Sequence, residues 1–122
     1  MEKKLSSFTN SEDVVQDGKN KVAIYCVHCT SLILNPATGT YLSNIQFDLP
    51  TMTQKKNALT VQTDPVTECF RVDDMYHFEN IGFSVQANDV QYLACADCEF
   101  GPVGWCKDKI SFIALSRVRY EL

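Results

Sequence analysis

The feature that most constrains this chain is a pair of C-x-x-C motifs that lie far apart in the sequence. The first is CVHC at 26–29 and the second is CADC at 95–98, so residues 30–94 lie between them. A C-x-x-C turn directs two sulfur atoms at one ion, and a closed zinc site takes four such ligands. The two motifs therefore predict one structural zinc site, with these ligands: Cys26, Cys29, Cys95 and Cys98.

The separation is much longer than the roughly 15–20 residues between the cysteine pairs of a compact zinc ribbon. The metal would therefore join distant parts of the chain and close a long loop, which is entropically costly without it. Structural zinc sites in small fingers have apparent binding free energies of about 10–16 kcal/mol. Such a site could decide whether the domain folds.

A redox function is the alternative for the first pair, because CVHC is similar to the C-x-H-C motif of disulfide isomerases. In those proteins the motif lies at the start of a strong helix that lowers the thiol pKa, and no such helical pattern follows here. Cys69 is predicted to be a small core residue. Cys106 is predicted to fill core or surface space, with a reactive thiol as the alternative. His28 is expected to be exposed on the turn.

Composition narrows the function classes. The chain has 122 residues, which suits one domain, and a formal net charge of −4. An acidic protein is repelled by phosphate backbones, so nucleic acid is not an expected partner. No apolar run is long enough to cross a bilayer. The first residues contain no apolar core of a secretory signal, so a cytoplasmic location with reduced thiols is expected.

Hydrophobic patterning predicts a mostly β protein. Residues 1–20 are polar and are expected to form a flexible arm, followed by a single zinc-binding β domain over residues 21–122. Residues 51–66 predict a long loop. No amphipathic helix of three turns is expected. The predicted strands cover residues 22–26, 31–34, 40–49, 68–72, 83–85, 90–96 and 110–120.

The segment VDDMYHFEN, residues 72–80, fits neither a helical nor a strand period. If Tyr76 and Phe78 face the core, Met75 and His77 face outward. Exposed methionine and aromatic side chains ringed by acids are typical of partner-binding surfaces. The alternative is an ordinary strand with charged edges.

Three motifs occur together in order: the first C-x-x-C, DDMYHFENIGF in the middle and LACADCEFGPVGWC near the end. With the final ISFIALSRV they resemble the small zinc-binding guanine-nucleotide-releasing factors of Rab GTPases, of the Mss-four and Dss-four type. The resemblance covers roughly residues 21–120. Its ADCE-x-GP-x-GW block is far more specific than C-x-x-C alone.

The resemblance implies a β-tent-like fold of stacked antiparallel sheets, with one structural zinc held by both cysteine pairs. It implies no covalent catalysis and hence no catalytic residues. It further implies binding of nucleotide-free Rab GTPases of the exocytic pathway, with release of GDP or GTP or chaperoning of the empty GTPase in vesicle-mediated protein transport. A monomer is expected. The implied partner contacts are Asp74, Met75 and Tyr76, supported by Phe78, Glu79 and Asn80.

Three rival functions follow from the same residues. Methionine sulfoxide reductases of the B type also hold zinc with two C-x-x-C pairs, but they need a catalytic cysteine or selenocysteine in the terminal strand. ISFIALSRVRYEL contains neither cysteine nor histidine. A zinc-ribbon nucleic-acid module would need basic stripes, whereas 11 basic residues face 15 acidic ones. A generic zinc-dependent interaction module is the third.

Overall fold

The chain folds into stacked antiparallel β-sheets, as the sequence predicts. The computed structural model describes residues 5–7, 10–51, 63–83 and 90–121. Most of the predicted 51–66 loop lies outside these residues, and so do residues 84 and 85 of the strand predicted over 83–85. No helix in the described ranges is long and apolar enough to span a membrane.

Most of the strands are short, and turns separate them. A single α-helical turn, α1, covers Ser11–Val14, and two 3₁₀ turns cover Met75–His77 and Leu115–Arg117. The strands of the described residues are β1 (Leu5–Ser7), β2 (Val15–Gln16), β3 (Lys19–Asn20), β4 (Ile24–Cys26), β5 (Leu32–Leu34), β6 (Thr40–Leu42), β7 (Phe47–Pro50), β8 (Thr63–Val66), β9 (Cys69–Val72), β10 (Gly82–Phe83), β11 (Gln91–Ala94), β12 (Gly104–Lys107), β13 (Ile110–Ala114) and β14 (Val118–Glu121).

These strands form a small sheet, a large sheet and a separate hairpin. The small sheet has the order β1-β14-β4-β5, and the large one has the order β10-β11-β12-β13-β9-β6-β3-β2. Strands β7 and β8 pair only with each other. The first cysteine pair begins at the end of β4 in the small sheet. The second follows β11 in the large sheet, so the two motifs come from different sheets.

Two predicted strands are each divided in the structure. The prediction of one strand over 40–49 is wrong, because Asn44 takes a left-handed φ of 59° and the chain leaves the large sheet for the hairpin. The closing strand predicted over 110–120 is interrupted by the 3₁₀ turn Leu115–Arg117, which carries the chain from β13 to β14 and to the other sheet. Residues Thr63–Val66, predicted as loop, form β8.

Residues 10–20 also differ from the flexible arm expected for this region. Asn10 caps α1 by accepting a hydrogen bond from the Glu12 amide at 3.0 Å, and Val14 is buried in the core. The buried Asn20 side chain donates to the carbonyls of Val22 and Asn35, each at 2.9 Å. This segment is therefore packed into the fold.

The core lies in two clusters on either side of the large sheet's central strands. The larger one contains Ile24, Phe70, Leu93 and Ile113 among its buried members. In the smaller one the Trp105 ring stacks between two phenylalanine rings, Phe47 at 4.0 Å and Phe112 at 5.2 Å between centroids. This stacking holds the β7–β8 hairpin against the sheet.

Candidate functional site

The two cysteine pairs meet in space, although residues 30–94 lie between them in the sequence. All four sulfur atoms lie within 4.8 Å of one another. Cys26 Sγ is 3.7 Å from Cys98 Sγ, and Cys29 Sγ is 3.4 Å from Cys95 Sγ. A zinc–sulfur bond of about 2.3 Å with tetrahedral angles separates two ligand sulfurs by about 3.8 Å. The four thiols therefore fit one tetrahedral metal ion.

The two knuckles repeat the same local backbone pattern. In the first, the amide of Cys26 donates to the carbonyl of Ser31, and the amide of Thr30 donates back to Cys26. In the second, the amide of Cys95 donates to Phe100, and Glu99 donates back to Cys95. Thr30 and Glu99 have left-handed φ angles of 61° and 63°. That conformation tightens each turn after the second cysteine.

A bound cation would favour ionisation of the thiols at this site. Burial raises the pKa of the Cys26 thiol and raises the pKa of Cys98 to about 12, whereas contact with the Ser31 hydroxyl lowers the pKa of Cys29 to about 6. The Cys29 thiol therefore ionises at a lower pH than the thiols of Cys26 and Cys98. A bound dication would favour the thiolate form of all four and release their protons. Soft thiolate ligands select zinc, copper(I) or iron–sulfur clusters over magnesium and calcium.

Backbone and side-chain donors surround the sulfur atoms. The amide of His28 points at Cys26 Sγ at 3.3 Å, and the side-chain amide of Asn80 points at Cys95 Sγ at 3.2 Å. His28 is exposed, as predicted, and its ring stacks on Phe100 at 5.0 Å. Such donors stabilise a ligating thiolate from its outer side.

Beside this centre the predicted partner-binding segment forms an exposed turn, residues 73–79. Asp74 begins the 3₁₀ helix, and its carboxylate accepts a hydrogen bond from the Tyr76 amide at 2.9 Å. Met75 is 54% exposed and Tyr76 is 87% exposed. Tyr76 therefore faces solvent. A strand that turned Tyr76 and Phe78 to the same side would have placed both of them in the core. Phe78 alone packs inward, against the larger core cluster.

Two clefts open on either side of the Met75 side chain. Met75 and Phe83 line both of them. The first, of about 550 Å³, reaches Asp97 on the second knuckle. The second, of about 580 Å³, is mainly apolar and is bordered by Cys106, Lys109, Asp73 and Asp74. The exposed turn thus carries an apolar side chain between two recesses.

The remaining predicted contacts have internal partners. Asn35 Nδ2 donates to Glu79 Oε1 at 2.7 Å. Asn80 is half-buried and bonds to the second knuckle through both ends of its amide. The family resemblance implied Glu79 and Asn80 as supporting partner contacts, but their internal contacts depend on folds of the chain that no spacing reveals. Cys69 is buried, as predicted, and burial raises its pKa to about 12.

The fold and the site define a small antiparallel β protein with a four-cysteine cluster that could hold a metal ion, beside an exposed apolar turn. A family profile described as "Mss4 protein" matches residues 19–120, and the chain belongs to this family. The resemblance predicted from the motifs is confirmed.

Curated relatives agree along most of the chain. The guanine nucleotide exchange factor MSS4 homolog of Drosophila melanogaster is 41% identical over 111 residues, which cover 88% of this chain and 90% of the relative. A protein of the same name from Schizosaccharomyces pombe is 31% identical over 91 residues, covering 74% of this chain and 86% of the relative. Both relatives are named as guanine nucleotide exchange factors.

Proposed function

We propose that this protein is a guanine nucleotide exchange factor or chaperone that binds nucleotide-free Rab GTPases. The observation that carries the proposal is the exposed pair Met75 and Tyr76, held on a capped turn between two clefts. An exposed methionine and tyrosine are side chains that dominate protein interfaces when a partner covers them. The family and the names of the relatives support a GTPase as that partner.

The mechanism is thermodynamic linkage and needs no covalent step. A protein that binds the empty GTPase more tightly than the loaded form weakens nucleotide binding by the same factor. Met75 and Tyr76 would occupy apolar surface on a loosened segment of the GTPase. The carboxylates of Asp73, Asp74 and Glu79 would favour a basic face on the partner and speed the encounter.

The metal in this proposal is one zinc ion with a structural role, held by Cys26, Cys29, Cys95 and Cys98. Its chemistry would be to fix the two knuckles, because four protein ligands close the site to substrate. Metal analysis of protein purified without chelators should give one zinc per chain. Iron or copper at that ratio would contradict this assignment. We further propose a cytoplasmic monomer that serves vesicle-mediated protein transport.

The test measures release of fluorescent GDP from purified exocytic Rab GTPases, with Ras and Arf GTPases as specificity controls. The metal-loaded protein should accelerate release from Rab and should capture nucleotide-free Rab, and excess GDP with magnesium should reverse the capture. Met75→Ala and Tyr76→Ala should each weaken capture by about 30-fold, the effect of losing an interface hot spot of 2 kcal/mol. Asp48→Ala is the matched control, because Asp48 is exposed on the separate β7–β8 hairpin.

The outcomes separate the alternatives. Capture of Ras or Arf with no capture of any Rab would reject the Rab assignment while keeping a GTPase partner. Equal capture by wild type, Met75→Ala and Tyr76→Ala would move the interface away from the exposed turn. Each variant changes a side chain that is more than half exposed, so the fold should be unaffected.

A further inference from the structure

The side chain of Asn80 lies between the exposed turn and the cysteine centre. Its Nδ2 donates to Cys95 Sγ at 3.2 Å, and its Oδ1 accepts from the backbone amide of Ala96 at 2.7 Å. A backbone N–H can only donate, so Oδ1 must face Ala96 and the NH₂ group must face the sulfur. Both ends of the amide are therefore bound to the second knuckle.

The same end of the turn is also bonded to the strand that follows the first knuckle. The amide of Glu79 donates to the carbonyl of Ile33 at 2.8 Å, and Phe78 forms an isolated antiparallel bridge with Leu34. Asn35 Nδ2 reaches Glu79 Oε1 at 2.7 Å. Residues 78–80 therefore contact the second C-x-x-C motif itself and the strand that follows the first motif.

We propose that Asn80 is a positioning residue that couples metal binding to the conformation of the exposed turn, rather than a residue that contacts the partner. Its N–H group donates to the Cys95 sulfur from the outer side of the four-cysteine cluster. Its carbonyl holds the knuckle backbone. A metal that fixes Cys95 thereby fixes Asn80 and, through the adjoining residues, the end of the turn that carries Met75 and Tyr76.

Linkage makes this coupling reciprocal. If the bound metal stabilises the arrangement of the turn, then anything that holds the turn in that arrangement strengthens metal binding by the same factor. Insofar as the turn meets a GTPase, this inference rests on the proposed function. The coupling between Asn80, metal and turn does not need the GTPase, and it is measured without one.

The test exchanges a single atom. Asn80→Asp keeps an oxygen to accept from the Ala96 amide but replaces the NH₂ group facing Cys95 with a carboxylate oxygen, which repels a thiolate. Asn35→Asp is the matched control, because it makes the same exchange at the other bond to this end of the turn and no bond of Asn35 to a cysteine is recorded among the described residues. Metal affinity is measured by competition with a chromophoric chelator, with zinc and with cobalt(II).

Loss of an outer-shell partner of a metal ligand costs about 10–100-fold in metal affinity. Asn80→Asp should show a loss of this size and a shifted cobalt–thiolate charge-transfer band, whereas Asn35→Asp should stay within about twofold of wild type. If both variants match wild type in affinity and spectrum, Asn80 does not act on the metal centre. If both lose affinity equally, the effect belongs to the turn as a whole and the assignment to Asn80 fails.

The second measurement follows the turn directly. In metal-loaded protein, amide hydrogen exchange over residues 75–80 should be faster in Asn80→Asp than in wild type, while exchange in β12 and β13 stays unchanged. Unchanged exchange in the turn would overturn the coupling even if metal affinity falls. Asn80→Ala removes both hydrogen bonds without adding charge, and it undergoes the same two measurements if Asn80→Asp does not fold. None of these results depends on the GTPase, so they stand apart from the proposed function.

Discussion

At the scale of single residues, Asp74 has two separable properties. Its carboxylate caps the 3₁₀ helix by accepting from the Tyr76 amide at 2.9 Å, and its negative charge lies at the rim of the apolar cleft. Asparagine and aspartate cap a helix about equally well, whereas alanine loses about 1 kcal/mol. Replacing the carboxylate by an amide therefore removes the charge and keeps the cap.

We expect Asp74→Asn to unfold at the same urea concentration as wild type but to associate with a Rab GTPase more slowly at low salt. Asp74→Ala should show the same slower association and, in addition, a free energy of unfolding lower by up to about 1 kcal/mol. Stopped-flow association at two salt concentrations and urea denaturation make the comparison. If Asp74→Asn associates as fast as wild type while Asp74→Ala associates more slowly, the role of Asp74 belongs to the cap alone.

The two cysteines outside the metal centre should differ in reactivity. Cys69 is fully buried and its pKa is raised to about 12 by burial, while Cys106 is half-buried and borders a cleft. Alkylating reagents attack the thiolate, and at pH 8 a thiol of pKa 12 is almost entirely protonated. In metal-loaded protein we expect Cys106 to be alkylated well before Cys69.

Peptide mass spectrometry after timed exposure to iodoacetamide measures this order, and urea-denatured protein is the control in which both thiols react. Raising the pH from 8 to 10 should increase the Cys69 thiolate fraction by about a hundredfold. It should still leave most of that thiol protonated, because its folded-state pKa of about 12 lies above this range. Labelling of Cys69 first would mean that β9 opens to solvent more readily than its burial indicates.

At the scale of elements, the sequence predicted the strands that remain within one sheet. Residues 22–26, 31–34 and 68–72 hold β-branched and aromatic side chains at strand spacing, and each forms a strand close to its predicted bounds. Two of the failures occur where a strand-like pattern continues across a change of sheet. Alternation over 40–49 persists through Asn44, although the left-handed backbone there bends the chain. Side-chain period reports burial, not which sheet does the burying.

Arg117 explains how the chain turns between β13 and β14, and spacing gave no sign of it. Its guanidinium is 5% exposed and donates to the carbonyls of Pro50 and Pro102 at 2.9 and 2.7 Å, and to Leu49 at 3.3 Å. It also bonds Asp64 Oδ2 at 3.2 Å. One side chain therefore joins the 3₁₀ turn, the hairpin and the loop after the second knuckle.

We expect Arg117→Met to lower the free energy of unfolding by about 3 kcal/mol or more, because carbonyls beside a buried site lose their donors. Arg117→Lys should recover only part of this, since an ammonium lacks the planar fork. Arg71→Met is the control: Arg71 is exposed and pairs with exposed Asp73, so its loss should cost less than about 1 kcal/mol. Guanidinium denaturation of metal-loaded protein gives the three values. If Arg117→Met and Arg71→Met lower the free energy of unfolding equally, Arg117 does not stabilise the junction of the turn, the hairpin and the loop.

At the scale of the whole molecule, the sequence predicted that the four cysteines meet but not which side chains surround them. Four cysteines in two short motifs are enough to predict a shared centre, because the chemistry of the ligand set requires them to meet. The orientation of the exposed turn depends on Glu79 and Asn80, whose partners lie elsewhere in the fold. Asn20 was hidden for the same reason: a buried asparagine in a polar stretch looks like any exposed one until its four hydrogen bonds are seen.

The four-cysteine cluster joins the two sheets, so removal of a bound metal should act on the whole fold. The first knuckle continues from β4 in the small sheet and the second from β11 in the large one. A ligand that binds only the folded state stabilises it by about 4 kcal/mol at a free concentration of 1,000 times its dissociation constant. We expect the melting temperature to rise with buffered free zinc, and to fall sharply when a chelator is added.

Cys29→Ser should abolish this zinc dependence, whereas Cys69→Ser, although it disturbs the core, should keep it, because Cys69 is not part of the four-cysteine cluster. Acidification should weaken the stabilisation, since metal binding requires the thiols to lose their protons and protonation competes with it. Scanning calorimetry across a zinc–chelator buffer series, at pH 7.5 and pH 6, makes the measurement. A melting temperature that is independent of free zinc in wild type, with the cysteines kept reduced, would show that packing between the sheets holds the fold without the metal.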